Sequence, residues 1–177
     1  LAQVRVSSRI YTVEGSGTYG QFVAGVDDSE SAVAGQSVQI PQLQNNVDFR
    51  ANVGFAEVAG SGGVVRVTVF DETGRVLQTA DANVLPFSHI QSAILGGSGG
   101  QQVAAARAEI SVIDGNARVV AYGSVVDNRS GDAIYIPAVR PPMNARTVVI
   151  PAVIHADGVP PTRWRSDVWL TNPEQSA

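Results

Sequence analysis

Residues 122–136, YGSVVDNRSGDAIYI, read as a strand, a Gly-Asp turn and a second strand, and residues 8–22, SRIYTVEGSGTYGQF, repeat that reading near the other end of the chain. Gly17 falls on Gly131, Ser16 on Ser130 and Phe22 on Ile136, a constant offset of 114 (131 − 17). A second repeat runs the other way along the chain. Ile40-Pro41 followed by FRANVGF from Phe49 recurs as Ile150-Pro151 followed by WRSDVWL from Trp164, a spacing of 115 (164 − 49). The chain therefore reads as the end of one module, one complete module and the start of a third: residues 1–26, 37–139 and 148–177.

Working outward from these repeats, the alternation of apolar and polar residues is that of half-buried strands. Phe49, Ala51, Val53 and Phe55 share one face and Arg50, Asn52 and Gly54 the other. Residues 64–70 and 75–85 pair around Asp71-Glu72-Thr73-Gly74, and residues 103–113 and 117–126 pair around Asp114-Gly115-Asn116. Ile40-Pro41 starts an edge strand, where proline forgoes no ladder donor. Residues 133–139 close the module, and residues 140–146, with Pro141-Pro142, form a stiff connection. Residues 27–36, DDSESAVAGQ, suit an exposed linker, and Phe87, Ile90, Ile94 and Leu95 recur at helical spacing, which predicts a short helix over 87–95. About seven strands in roughly 100 residues is the density of an antiparallel β-sandwich, so the expected fold class is all-β and immunoglobulin-like.

Composition excludes several functions. The 177-residue chain has 12 Lys+Arg, all of them arginine, and a formal net charge of −4, a poor match for nucleic acid or an anionic membrane surface. Without lysine there is no Schiff-base chemistry and no Lys-Asn isopeptide crosslink; without cysteine there is no disulfide, thiolate nucleophile or Cys-ligated metal. No apolar run reaches transmembrane length, so no membrane insertion is expected. Leu1 onward is strand-like rather than a signal sequence, the start of a processed product or an excised fragment.

Residues 118–138, RVVAYGSVVDNRSGDAIYIPA, with the Phe-Arg-Ala-Asn-Val-Gly-Phe strand before them, resemble tandem β-sandwich (immunoglobulin-like) repeat modules of large secreted bacterial proteins. There a strand ending in Tyr-x-Ser-Val-Val-Asp-Asn leads through a Ser/Thr-Gly-Asp turn to a last strand ending in Pro-Ala. Ile-Pro-Ala-Val-Ile-His-Ala and Trp-Arg-Ser-Asp-Val-Trp-Leu-Thr-Asn-Pro look like the opening of the next unit. The resemblance implies an extracellular or cell-surface spacer, adhesion or assembly domain and no catalytic residue. The first copy departs from it, with Val13-Glu14-Gly15 in place of Asp127-Asn128-Arg129.

Candidate sites are few. Asp127, Asn128 and Asp132 put several oxygens in one turn, yet the repeat leaves only one acidic side chain, Glu14, among the matching positions, so a hydrogen-bonded turn outweighs calcium. His89, expected on the helix, and His155, in a loop, lie in different modules and lack partners for zinc or a catalytic triad. The glycine clusters 60–63 and 96–100 lack the lysine of a phosphate loop. Glu57, Asp71, Glu72, Asp81 and Glu109 read as solvated charge rather than a glycosidase pair. No cofactor, no metal and no enzymatic activity are expected.

Trp164 and Trp169 lie five apart on a predicted strand, hence on opposite faces. Trp164 matches Phe49 and is expected in a core, while Trp169, beside Arg165, is expected outside, either as an interface anchor or as cover for a loop. Each partial module would leave an apolar face and strand edges to be covered by further sequence, by the other end, or by neighbouring chains. The interface candidates are Arg165, Trp169 and Trp164 at one end and Tyr11 and Tyr19 at the other. The expected partners are other copies or adjacent modules through strand edges, building a head-to-tail filament; a carbohydrate- or surface-ligand-binding module centred on Trp169 is the alternative.

Overall fold

The computed structural model describes residues 5–15, 17–140, 150, 152–160 and 163–170. The repeat position Ser16, most of the 140–146 connection and parts of the expected third module (148–149, 151, 161–162 and 171–177) lie outside the described residues.

The expected all-β antiparallel sandwich is present, built from β3 (Ser37–Asn45), β4 (Phe49–Glu57), β5 (Gly63–Asp71), β6 (Val76–Val84), β7 (His89–Ala93), β8 (Val103–Gly115), β9 (Val119–Asp127) and β10 (Ala133–Pro137). One sheet has the order β10-β9-β4-β7 and the other β3-β8-β5-β6, with every pairing antiparallel. Alternation puts Ala51, Val53 and Phe55 of β4 and Val119, Ala121 and Val125 of β9 into one core with Val38, Ile40 and Leu43 of β3, Val65 and Val69 of β5 and Ala108, Ile110 and Val112 of β8. The hairpin glycines Gly74 (φ 87°) and Gly115 (φ 79°) take the left-handed conformation that the β5–β6 and β8–β9 turns require.

The sandwich has eight strands, because the predicted helix is a strand. Residues 89–93 form β7, pairing His89 with Ala56 and Ile90 with Phe55. Phe87, which completed the helical spacing, sits at φ 55° with an exposed ring over Gly60. The rest of that spacing satisfies either period over so short a run. The predicted linker is also structural. After a short 3-10 turn, Asp28–Glu30, Ser31 and Ala32 are fully buried, Ala32 exchanges two hydrogen bonds with Val119 (2.8 and 2.9 Å), and Ala34 bridges Val112, so this segment stitches both sheets together. At another edge Gln39 and Val139 exchange hydrogen bonds of 2.7 and 2.8 Å. Pro41 lies, as expected, on an edge strand, but not at its start: β3 begins at Ser37, and Pro41 sits in a mid-strand bulge where Gln42 has φ 59°.

Outside the sandwich, β1 (Ser7–Glu14) and β2 (Gly17–Ala24) form a separate hairpin, and β11 (Ala156–Asp157) pairs with β12 (Arg163–Trp164). No helix among the described residues is long and apolar enough to cross a membrane.

Candidate functional site

The two repeated hairpins share more than sequence. Thr12 pairs with Tyr19, Tyr11 with Gly20, Ile10 with Gln21 and Arg9 with Phe22; adding 114 to each gives Val126 with Ala133, Val125 with Ile134, Ser124 with Tyr135 and Gly123 with Ile136, which are the pairs of β9 and β10. Register fixes which side chains share a face. Val125 and Ile136 are 4% and 7% exposed inside the sandwich, whereas their counterparts Tyr11 and Phe22 are 56% and 64% exposed. Arg9 stands where Gly123 stands in the sandwich; its guanidinium lies 4.8 Å from the Tyr11 ring and donates to Thr18 Oγ1 at 2.8 Å. Phe22 also borders a depression of about 610 Å³ with Val6, Ala24 and Val26.

The other end mirrors this. Val53 and Phe55 are each 3% exposed in β4, while their counterparts Val168 and Leu170 are 51% and 93% exposed. Trp164, expected in a core, is 57% exposed, pairing through the backbone with Ala156. Trp169, expected outside, is half-buried and lines a depression of about 400 Å³ with Gln42, Ile150, Val153 and Val168. The reversal has a plain cause: β12 ends at Trp164, and residues 165–170 have no strand partner among the described residues to set an alternation. Arg165 donates to the Trp164 carbonyl at 2.8 Å. Tyr11 and Tyr19 fall on opposite faces of their hairpin, since Tyr11 is opposite Gly20 and Tyr19 opposite Thr12. Tyr11 and Tyr19 therefore lie on the β1–β2 sheet and Trp164 on the β11–β12 sheet, with Arg165 and Trp169 in the segment that follows it.

The side chains weighed for chemistry are used in folding. Asp127 Oδ1 accepts from the backbone N–H of Arg129 (2.7 Å) and Ser130 (2.8 Å), bonds that hold its carboxyl below the usual range, and Asn128 Oδ1 accepts from Arg50 at 2.8 Å. Asp81 pairs with Arg66, and Asp71 caps its own turn through Thr73 and Arg75. Glu109 accepts from Gln39 at 2.6 Å. Glu57 is not solvated but buried. Its Oε1 accepts from the backbone N–H of Ala59 (3.0 Å) and Arg118 (3.2 Å), and its Oε2 from Gly60 (2.8 Å), Phe87 (3.1 Å) and Ser61 (3.2 Å). Burial pushes its carboxyl up, but the N–H groups of Phe87, Arg118, Ala59 and Gly60 outweigh that and hold it at about 2.

Sequence reasoning missed one constellation, on the outer face of sheet β10-β9-β4-β7. Tyr122 is opposite Gly54, and a Cβ at Gly54 would lie 2.4–2.6 Å from Cζ, Cε1 and Oη of that ring, so the ring lies over the glycine. His89 is parallel to it within 5° at 5.9 Å between centroids, and Tyr135 is inclined 25° at 5.4 Å. Tyr122 Oη donates to Gln91 Oε1 at 2.6 Å and meets His89 Nε2 at 2.9 Å. With its one proton given to Gln91, the phenol accepts from His89, which assigns the proton to Nε2. Burial pushes the phenol pKa of both Tyr122 and Tyr135 up, keeping them protonated. None of the family models, curated proteins or solved structures with which the chain was compared matches it.

Proposed function

We propose that this chain is a non-enzymatic structural and assembly module, extracellular or on the cell surface, in which the closing hairpin of one copy completes the opening strands of another. One observation carries the reading: positions buried in the sandwich are exposed at their counterparts near both ends, and the first hairpin keeps the β9–β10 pairing register. Combining the two offsets gives the junction. Phe49 pairs with Asp127 and Ala51 with Val125, so Trp164 would pair with Val13 and Ser166 with Tyr11; Val168 would then meet Arg9 and Leu170 would meet Ser7. Strand addition of this kind supplies main-chain hydrogen bonds and covers alternate side chains. Because head and tail surfaces differ, the contact is heterologous and propagates into a filament. Arg9 in place of Gly123 makes the junction more polar than the parent core.

Sedimentation over a concentration series tests the assembly. The intact chain is expected to form oligomers whose size grows with concentration, and the double variant Tyr11→Asp/Phe22→Asp to remain monomeric with an unchanged sandwich melting transition. An intact chain that stays monomeric up to about 1 mM, the weak limit of specific association, would rule the reading out.

A further inference from the structure

We propose that the outer face of sheet β10-β9-β4-β7 binds a neutral, ribbon-shaped glycan along the strip His89, Tyr122 and Tyr135. This does not rest on the assembly reading and uses different residues, and the β1–β2 hairpin borders the strip at its Tyr135 end, where Ser124 Oγ donates to Gln21 Oε1 at 3.5 Å. The strip crosses the sheet diagonally, with His89 on β7, Tyr122 on β9 over Gly54 of β4, and Tyr135 on β10.

Glycine at position 54 is what lets the Tyr122 ring settle against the backbone. A ring lying on a sheet offers its free face outward, as a flat apolar plate. His89, parallel to it within 5° and joined to its hydroxyl at 2.9 Å, extends that plate on one side, and Tyr135, inclined by 25° at 5.4 Å between centroids, stacks against it on the other. Flat pyranose C–H faces stack on such a surface. A polyproline helix, which is three-sided, needs upright rings with grooves between them.

The polar groups beside the strip are neutral. Asn52 shares the Tyr135–Ser124 row, and Gln91 is exposed with its Oε1 engaged by Tyr122, leaving its NH2 end for a ligand hydroxyl. His89 uses Nε2 towards Tyr122, which leaves Nδ1 as its second hydrogen-bonding atom. Apart from His89, residues 52–56, 89–93, 120–124 and 135–137 contain no titratable acid or base stronger than a phenol, which disfavours uronate or sulfated chains. A few placed polar groups around an apolar floor is the general composition of a ligand site.

Calorimetric titration of the full chain with cellohexaose tests the proposal. Saturable binding is expected, weakened about ten-fold or more by His89→Ala and by Tyr135→Ala, and measurably by Gln91→Ala. Melting curves separate binding from folding: His89 and Gln91 are exposed, and their variants are expected to melt like the parent. The Tyr11→Asp/Phe22→Asp variant is expected to bind cellohexaose unchanged, so failure of assembly and failure of glycan binding are read separately. No saturable heat up to about 5 mM cellohexaose, parental affinity in the His89 and Tyr135 variants, or binding of decaproline in place of cellohexaose would each overturn it.

Discussion

Glu57→Gln is expected to lose about 2–4 kcal/mol of folding stability at pH 7, close to half of what a marginal domain has. The carboxylate gathers N–H groups from three places: the turn after β4, Phe87 between β6 and β7, and Arg118 just before β9. An amide of the same shape keeps one acceptor oxygen and turns an NH2 against the remaining donors, leaving buried groups unpaired. Phe87 sits at φ 55°, a conformation a bulky residue adopts only when its surroundings impose it, and Glu57 is the group holding its N–H.

The same residue gives a pH signature. Its folded value of about 2 lies below the ordinary 4.5, so its contribution is full above pH 4.5 and is lost as the pH falls towards 2. The stability gap between parent and Glu57→Gln is therefore expected to narrow across that window in urea titrations. Asp71, also held at about 2 by its Thr73 hydroxyl bond, titrates in both proteins and cancels in the difference. A gap that is absent at pH 7, or flat from pH 7 to 2, would contradict the role given to Glu57.

Gly123→Val is expected to cost about 2–3 kcal/mol by overpacking. At this point the sheets approach too closely for any side chain: a Cβ on Gly123 would lie 2.7 Å from Ile40 Cγ2 and 2.9 Å from Leu43 Cδ2, and both of those residues are fully buried. Ile40 and Leu43 flank the Pro41-Gln42 bulge, so β3 has little freedom to move away. Adding Leu43→Ala to Gly123→Val is expected to cost less than the sum of the two changes, because the vacated methyls accommodate the valine. Strict additivity in chemical denaturation would show that the two positions do not compete for the same space.

The strands with long alternation, such as β4, β5 and β8, were legible because apolar parity is local information. β7 was not, since Ile90 and Ile94 fit both periods and its partner β4 lies more than thirty residues away. Glu57 had a signal that went unused. It continues the parity of Ala51, Val53 and Phe55 into the core, just before a glycine-rich turn full of N–H donors. The aromatic strip needed the β4–β9 register, which places Tyr122 over Gly54 across 68 residues of sequence (122 − 54). No local pattern encodes that pairing. The Trp164 and Trp169 faces reversed because alternation presumes a strand, and a strand presumes a partner.

That missing partner is the centre of the account, and crosslinking tests it at the level of register. The chain has no cysteine, so Tyr11→Cys/Ser166→Cys introduces the only two thiols. Directly opposed residues on paired strands lie within disulfide reach. Mild oxidation is expected to give a reducible ladder of intermolecular multimers on a non-reducing gel, while Tyr11→Cys/Asp167→Cys, one residue out of register and on the opposite face, gives little. Monomer alone, an intramolecular link, or equal ladders from both pairs would contradict the proposal that one copy's closing hairpin completes the next copy's opening strands.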